Sequence, residues 1–282
     1  MIGFHARGSD TIVPVPDCQL LDPRMMALMP ALEELTVISA SRKGEIGLVV
    51  TVSDAGPDIV VETTQDLTSQ LRITLANFAQ AQDIARLTWN EEPVVMRAAP
   101  YQHFGVCDVL PPPGAFLQAT QHGQDTLVAA VREITQGAAD VVDLFAGCGT
   151  FALPLSETAQ VHAVEGEAAM LTALDQGWRN GQHLRRVTHE ARDLFRRPLE
   201  PDELARFDAA VIDPPRAGAE AQIRTLAKSQ VDTIAMVSCN PVTFARDAAT
   251  LVAAGFSLNW VQVVDQFRWA AHVEVAASFT RA

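Results

Sequence analysis

Cys239 sits between an apolar run, residues 233–237, and a stretch that opens with Asn240 and Pro241 and closes at Gly255. Asn is a favoured N-cap, Pro suits the first helical position and Gly the position past the last turn, so a helix is predicted just after the thiol. The positive end of its macrodipole favours thiolate over thiol, and a thiolate is a nucleophile. Glu274 lies two residues after His272 at the head of a β-patterned stretch, so both share a face. It can serve as a base, or be a solvated carboxylate.

A second group of residues has the chemistry of a nucleoside site. Asp143 to Thr150 reads Asp-Leu-Phe-Ala-Gly-Cys-Gly-Thr after an apolar run, and Gly147 and Gly149 let backbone approach a ligand there. Glu165 ends the next predicted strand, where a carboxylate can accept both ribose hydroxyls. The third glycine of a dinucleotide fingerprint is missing, which favours a nucleoside without a pyrophosphate; S-adenosylmethionine fits. Asp213 precedes Pro214, Pro215 and Arg216, and the two prolines force an extended turn that holds the carboxylate at a sheet edge. Asp193 can receive an adenine amino group or cap a helix. Gln118, two residues after Phe116, offers an amide to the same crevice. Cys148, inside the glycine turn, reads as a packing residue.

Positioning these groups requires an α/β scaffold. From residue 140 onward short apolar runs at 141–145, 161–164, 187–189, 209–212, 233–238, 258–264 and 273–279 alternate with amphipathic stretches such as 167–179 and 219–228. The last two strands are too close in sequence for a crossover helix, so a mostly parallel sheet with one reversed strand near its edge is expected. Upstream, 45–52 and 58–62 flank the turn residues 54–57 as a hairpin, with helices expected at 25–35 and 71–87. The run Pro111 to Gly114 is the expected boundary between a smaller α+β domain, 1–113, and an α/β domain, 114–282.

The chain has 282 residues, 48% hydrophobic and 20% charged, an ordinary globular composition. No apolar run reaches the roughly 18 residues of a membrane span and no secretory leader opens the chain, so a cytoplasmic location is expected. Cys18, Cys107, Cys148 and Cys239 form no C-x-x-C pair, which suggests neither a disulfide framework nor a zinc ribbon. The net charge of −13 argues against nucleic acid as a partner. Against that, Arg179, Arg185, Arg186, Arg192, Arg196, Arg197, Arg206 and Arg216 gather in one stretch, as a binding surface or a solvated face.

Taken together, the order Phe116-x-Gln118, Asp143 to Gly149, Asp213 to Arg216, Ser238 to Pro241 and His272 to Glu274 resembles the RNA 5-methyluridine methyltransferase family over nearly the whole chain. The resemblance implies a Rossmann-like class I methyltransferase sheet of seven strands behind a domain for RNA recognition. It implies that Gln118, Phe145, Gly147, Gly149, Thr150, Glu165, Asp193 and Asp213 hold S-adenosylmethionine, with Cys239 as nucleophile and Glu274 as base. Carbon 5 of uracil is a poor nucleophile; thiolate addition to carbon 6 makes it an enolate carbon that can take a methyl group, after which a base removes the carbon 5 proton. The target base must leave its stack.

Residues 3–20, through Cys18, resemble the family segment whose cysteine is the fourth ligand of a [4Fe-4S] cluster, which points to the branch acting on 23S ribosomal RNA. The other three ligands, and an RNA-binding TRAM barrel, would belong to a segment upstream of this chain; the alternative for Cys18 is a buried apolar side chain. Transfer RNA as substrate, methylation of cytosine, and a non-catalytic RNA-binding scaffold stand as rivals. Nothing indicates a membrane or a protein partner. Two departures bear on the substrate pocket: Ala119 and Thr120 follow Gln118 where Asn is common, and Phe267 to Trp269 replace the usual Phe-Pro.

Overall fold

The computed structural model describes residues 1–39, 44–268, 270 and 272–281. It divides into two compact units, Met1–Gln102 with Leu110–Ala115, and His103–Val109 with Phe116–Ala282. Trp269 lies outside the described residues.

The first unit starts with a short antiparallel pair, β1 (Gly3–His5) and β2 (Ile12–Pro14), followed by α1 (Pro23–Ser39). Its main sheet is β3 (Gly47–Ser53), β4 (Gly56–Glu62), then α2 (Ser69–Ala81), β5 (Arg86–Trp89) and β6 (Glu92–Met96), in spatial order β3-β4-β5-β6. The expected hairpin is β3–β4; α2 carries the chain from β4 to the parallel β5. Leu35 from α1, Leu75 from α2 and Ile59, Leu87 and Trp89 from the sheet are fully buried in one core.

A helix over 71–87 overruns the structure. α2 ends at Ala81, Asp83 adopts φ 56°, and residues 86–89 form a strand buried between two neighbours. Leu75, Phe78 and Ala79 share one helical face that Ile84 and Leu87 do not continue, and Leu87 is buried by pairing with β4 and β6. Arg86 is buried there in a two-bond pair with its cross-strand partner Asp58, Nε to Oδ1 at 2.8 Å and Nη2 to Oδ2 at 2.6 Å, and also donates to the Pro111 carbonyl. Such fork-to-fork geometry satisfies a guanidinium that burial would otherwise penalise.

A short hairpin, β7 (Gln102–Phe104) and β8 (Cys107–Val109), precedes the second unit's α3 (Gln121–Ile134), β9 (Asp140–Leu144), α4 (Ala152–Leu155), β10 (Gln160–Glu165), α5 (Ala168–Asn180) and β11 (Val187–Ala191). Then come α6 (Pro201–Leu204), β12 (Ala209–Ile212), α7 (Glu220–Leu226), β13 (Thr233–Ser238), α8 (Pro241–Ala253), β14 (Ser257–Val264) and β15 (Glu274–Thr280). The seven strands are ordered β11-β10-β9-β12-β13-β15-β14, with β15 antiparallel to both neighbours. The chain runs outward from β9 in one direction and from β12 in the other. A crevice therefore opens between them at the carboxyl edge, where ligands bind in open α/β sheets.

Candidate active site

Strand register collects the expected site residues. Asp143 on β9 stands opposite Ala163 on β10 and Val211 on β12. Side chains alternate along a strand, so Glu165 and Asp213, two residues beyond those partners, project from the face that carries Asp143. Val211 in turn opposes Ala235 on β13, and Ala235 opposes Ser278 on β15. Continuing the alternation along those strands brings Cys239 and Glu274 to the same face. Four acids and a thiol from five strands thus meet at one end of the sheet.

The turn after β9 is shaped for backbone approach. The amides of Phe145 and Ala146 donate to the Val164 carbonyl, while Phe145, Gly147 and Gly149 take φ of 64°, 54° and 97°. A Cβ on Gly149 would lie 2.9 Å from Leu153 and 3.0 Å from Leu174, whereas one on Gly147 would meet nothing within 4 Å. Gly149 is thus needed for packing, and Gly147 leaves open space above the turn. Glu165 accepts from the Gly147 amide through Oε2 and the Glu167 amide through Oε1, each at 3.0 Å. A carboxylate has about four acceptor directions, so others remain for ribose hydroxyls. Thr150 follows the turn, half-buried. Cys148 is buried with its thiol on Met170 Sδ, and burial pushes that thiol up to about 12, as a packing residue's would be.

Asp193 Oδ1 accepts from the amides of Phe195 and Arg196, so here it caps a turn, and its exposed carboxylate lies 3.5 Å from Arg196 Nε. The capping half of the two readings is thus present, with Oδ2 paired to Arg196. Phe195, which the motifs did not single out, packs its ring 5.3 Å from that of Phe145. Gln118 donates weakly to Asp213 Oδ2 at 3.4 Å and accepts from Gln266 Nε2; Gln266 Oε1 in turn accepts from the amide and hydroxyl of Thr120. Thr120 is also the N-cap of α3, receiving the Gly123 amide. The departure from Asn thus supplies a helix cap. Gln266 could have been found only from its position just before the His272 motif.

Asn240 caps α8 by accepting the Val242 amide, with Pro241 in the first turn, as the motif predicts. Its amide also donates to the Arg216 carbonyl, tying the Cys239 turn to the turn after Asp213. Arg216 reaches His272 Nδ1 at 2.7 Å. The expectation of a favoured thiolate needs correction. Burial first, and then the Glu274 and Asp213 carboxylates, push the half-buried Cys239 thiol up; a backbone hydrogen bond and the Arg216 charge oppose them without winning. Burial also raises Glu274 against the pull of Arg216. Burial and the Glu274 charge push Asp213 up to about 7, while burial, Asp213 and Glu165 hold Asp143 well above the carboxylate range. Both Asp143 oxygens are buried without a side-chain partner, and only the Ala152 backbone amide favours the charged form. An acidic cluster beside open backbone, with a Glu165 carboxylate that keeps acceptor directions and a fully buried Asp143, suits a cationic nucleoside.

A tRNA (uracil-5-)-methyltransferase family model matches residues 112–282, which holds the motifs from Phe116 to Glu274 but not the segment around Cys18. The chain is a member of that family. An uncharacterized RNA methyltransferase of Brucella suis biovar 1 is 42% identical over 100% of this chain and 68% of its own length. The 23S rRNA (uracil(1939)-C(5))-methyltransferase RlmD of Chromohalobacter salexigens is 33% identical over 99% of this chain and 61% of its own. The structure of the Pyrococcus abyssi tRNA (uracil-54, C5)-methyltransferase in complex with S-adenosyl-L-homocysteine superposes with a TM-score of 0.73 at 20% identity, over 96% of this chain and 70% of that one, which shows a shared class I methyltransferase fold.

Other parts of this family member stay outside the cluster. Cys18 is half-buried, and among the described residues no three His, Cys, Asp or Glu converge as metal ligands. The residues present therefore do not fit an iron–sulfur cluster. Of the gathered arginines, the exposed Arg179 and Arg196 pair with Asp175 and Asp193 and the largely buried Arg192 with Glu203, so the charge of these three is neutralised locally. No helix among the described residues is long and apolar enough to cross a membrane.

Proposed function

We propose that this methyltransferase makes 5-methyluracil in RNA, with Cys239 as nucleophile and Glu274 as base. What carries the reading is the register that puts Cys239, Glu274 and Asp213 on one sheet face beside the glycine turn. S-adenosylmethionine, held by Gln118, Phe145, Gly147, Gly149, Thr150, Glu165, Asp193 and Asp213, supplies an electrophilic methyl group on a cationic sulfur. Cys239 adds to carbon 6 of a flipped uracil, and the electron pair moves to carbon 5, the atom to be methylated. Glu274 then takes the carbon 5 proton, and the carbon 6–sulfur bond breaks. The raised Glu274 pKa suits a group that must accept a proton, and Arg216, beside Cys239 and Glu274, steadies the negative charge of the adduct.

The similarity to RlmD favours 23S ribosomal RNA as substrate, acted on in the cytoplasm; on this reading residues 1–113 recognise the RNA. Transfer RNA is the second reading, favoured by the family description. The decisive experiment incubates the protein and S-adenosylmethionine with 5-fluorouracil-containing 23S fragments and, separately, tRNA. Fluorine cannot leave as the proton does, so a covalent adduct stable to denaturation is expected on the ribosomal fragment and absent for Cys239→Ala. An adduct that persists in Cys239→Ala would sink the assignment of the nucleophile, and one on tRNA alone would move the substrate.

A further inference from the structure

We propose that Asp143 and Asp213 hold one proton between them before the methyl donor binds and release it on binding, so that this pair selects the cationic sulfonium donor over its neutral thioether product. The inference rests on the S-adenosylmethionine reading of the crevice and goes beyond it, because that reading needs acids only as hydrogen-bond acceptors.

The geometry starts with two neighbouring strands. Asp143 opposes Val211, and Asp213, two residues past Val211, donates its own amide to the Leu144 carbonyl, so the two carboxyls extend from adjacent strands on one face. Asp143 is 0% exposed and neither oxygen has a side-chain partner, so the Ala152 backbone amide alone eases its charge. Asp213 has only the long amide contact from Gln118. The charged and titratable groups around them deepen the problem. Glu165 from β10 acts on Asp143, and Glu274 from β15 acts on Asp213. The Cys239 thiol beyond β13 feels both Asp213 and Glu274, and Arg216 is the cation that answers Cys239 and Glu274.

A fully buried carboxyl beside a half-buried one on the adjacent strand resists ionising together with it unless a cation compensates. Their protons belong to the pair rather than to either residue. Asp213 is pushed up to about 7 and Asp143 is also raised well above its ordinary value, so these two neighbouring carboxyls retain a proton at neutral pH. A donor carrying an ammonium, a carboxylate and a sulfonium brings one net positive charge, which lets the pair ionise and expel a proton. Methyl transfer moves CH3 with the positive charge out of the sulfur, leaving a neutral thioether whose zwitterionic tail has no net charge. The carbon 5 proton leaves separately to Glu274. The ionised pair then faces less positive charge, so it recaptures a proton from water and the product loosens.

Isothermal titration calorimetry of the full chain tests this without turnover. S-adenosylmethionine is titrated near pH 7 in buffers of different ionisation enthalpy, and the slope of heat against that enthalpy counts protons. The expected result is release of about half to one proton with S-adenosylmethionine and clearly less with S-adenosylhomocysteine. The preference for the donor should rise several-fold from pH 6 to 8. Asp143→Asn should abolish most of the release and flatten the preference; Asp213→Asn, checked by circular dichroism, repeats the test if the first variant misfolds. Donor binding without linked protons, or equal release with both ligands, overturns the inference and leaves the cofactor reading intact. Absence of any donor binding overturns both.

Discussion

Val142, Leu144, Ala210, Ile212, Ile234, Met236, Ala277 and Phe279 point to one side of the seven-stranded sheet and pack with Ile223, Leu226 and Leu251 into a continuous apolar core. The residues that alternate with them include Asp143, Asp213, Cys239 and Glu274, which point to the other side at the carboxyl edge. One peptide unit separates the two chemistries. The apolar face lowers the free energy of folding by burying surface, whereas the acidic face raises it by burying like charges. Each strand stabilises through one face what its other face destabilises, and the unsatisfied face is the one with a ligand to bind.

Substitutions on the two faces should therefore diverge. The largest effect expected is on turnover. Glu274→Gln removes the base but leaves the thiol, so methylation should fall by roughly 10²- to 10⁴-fold while a protein–RNA adduct builds up on ordinary RNA, visible as a slow band on a denaturing gel. Loss of activity with no adduct would place Glu274 earlier in the reaction. On the apolar face, Leu144→Ala should cost about 2–5 kcal/mol in urea unfolding and leave adduct chemistry intact in the folded fraction.

The acidic face should give itself away through pH. Asp213 is raised from 3.8 to about 7, so the folded state holds a proton that the unfolded chain has already lost across that window. Its contribution is fully present below about pH 4 and is lost as pH rises toward 7. Without ligand, Asp213→Asn should flatten this fall and raise Tm at pH 8 by several degrees; an unchanged pH slope would mean that Asp213 is solvated. The smallest effect belongs to Gln266→Ala. It removes the partner of Gln118 and Thr120, and donor affinity in calorimetry should weaken by up to about tenfold with Tm within a few degrees of the parent.

Local signals were legible where short-range chemistry decides. The Asn240–Pro241 start of α8 and the seven strands from 140 onward are found within two residues or so of their expected places. The reversed strand is there as well, since a short β14–β15 link leaves no room for a crossover. What stayed hidden depends on partners remote in sequence. β5 imitated a helix because burial on two sides leaves no polar alternation to read. The Cys239 thiol looked activated from its helix alone, because the Asp213 and Glu274 charges that oppose the dipole arrive from other strands.

Residue types and their order along the chain were enough to establish the methyltransferase family, the glycine turn and the nature of the candidate nucleophile and base, since those follow from chemistry within a few residues of each motif. Assembly of the sheet decides which of those groups face one another and which way burial and neighbouring charges shift their titration. Register sets the face on which a side chain emerges, and protonation depends on burial and on charges brought near by folding. The same Asp143 that reads as one letter of a motif becomes, between β10 and β12, a buried carboxyl with no side-chain partner.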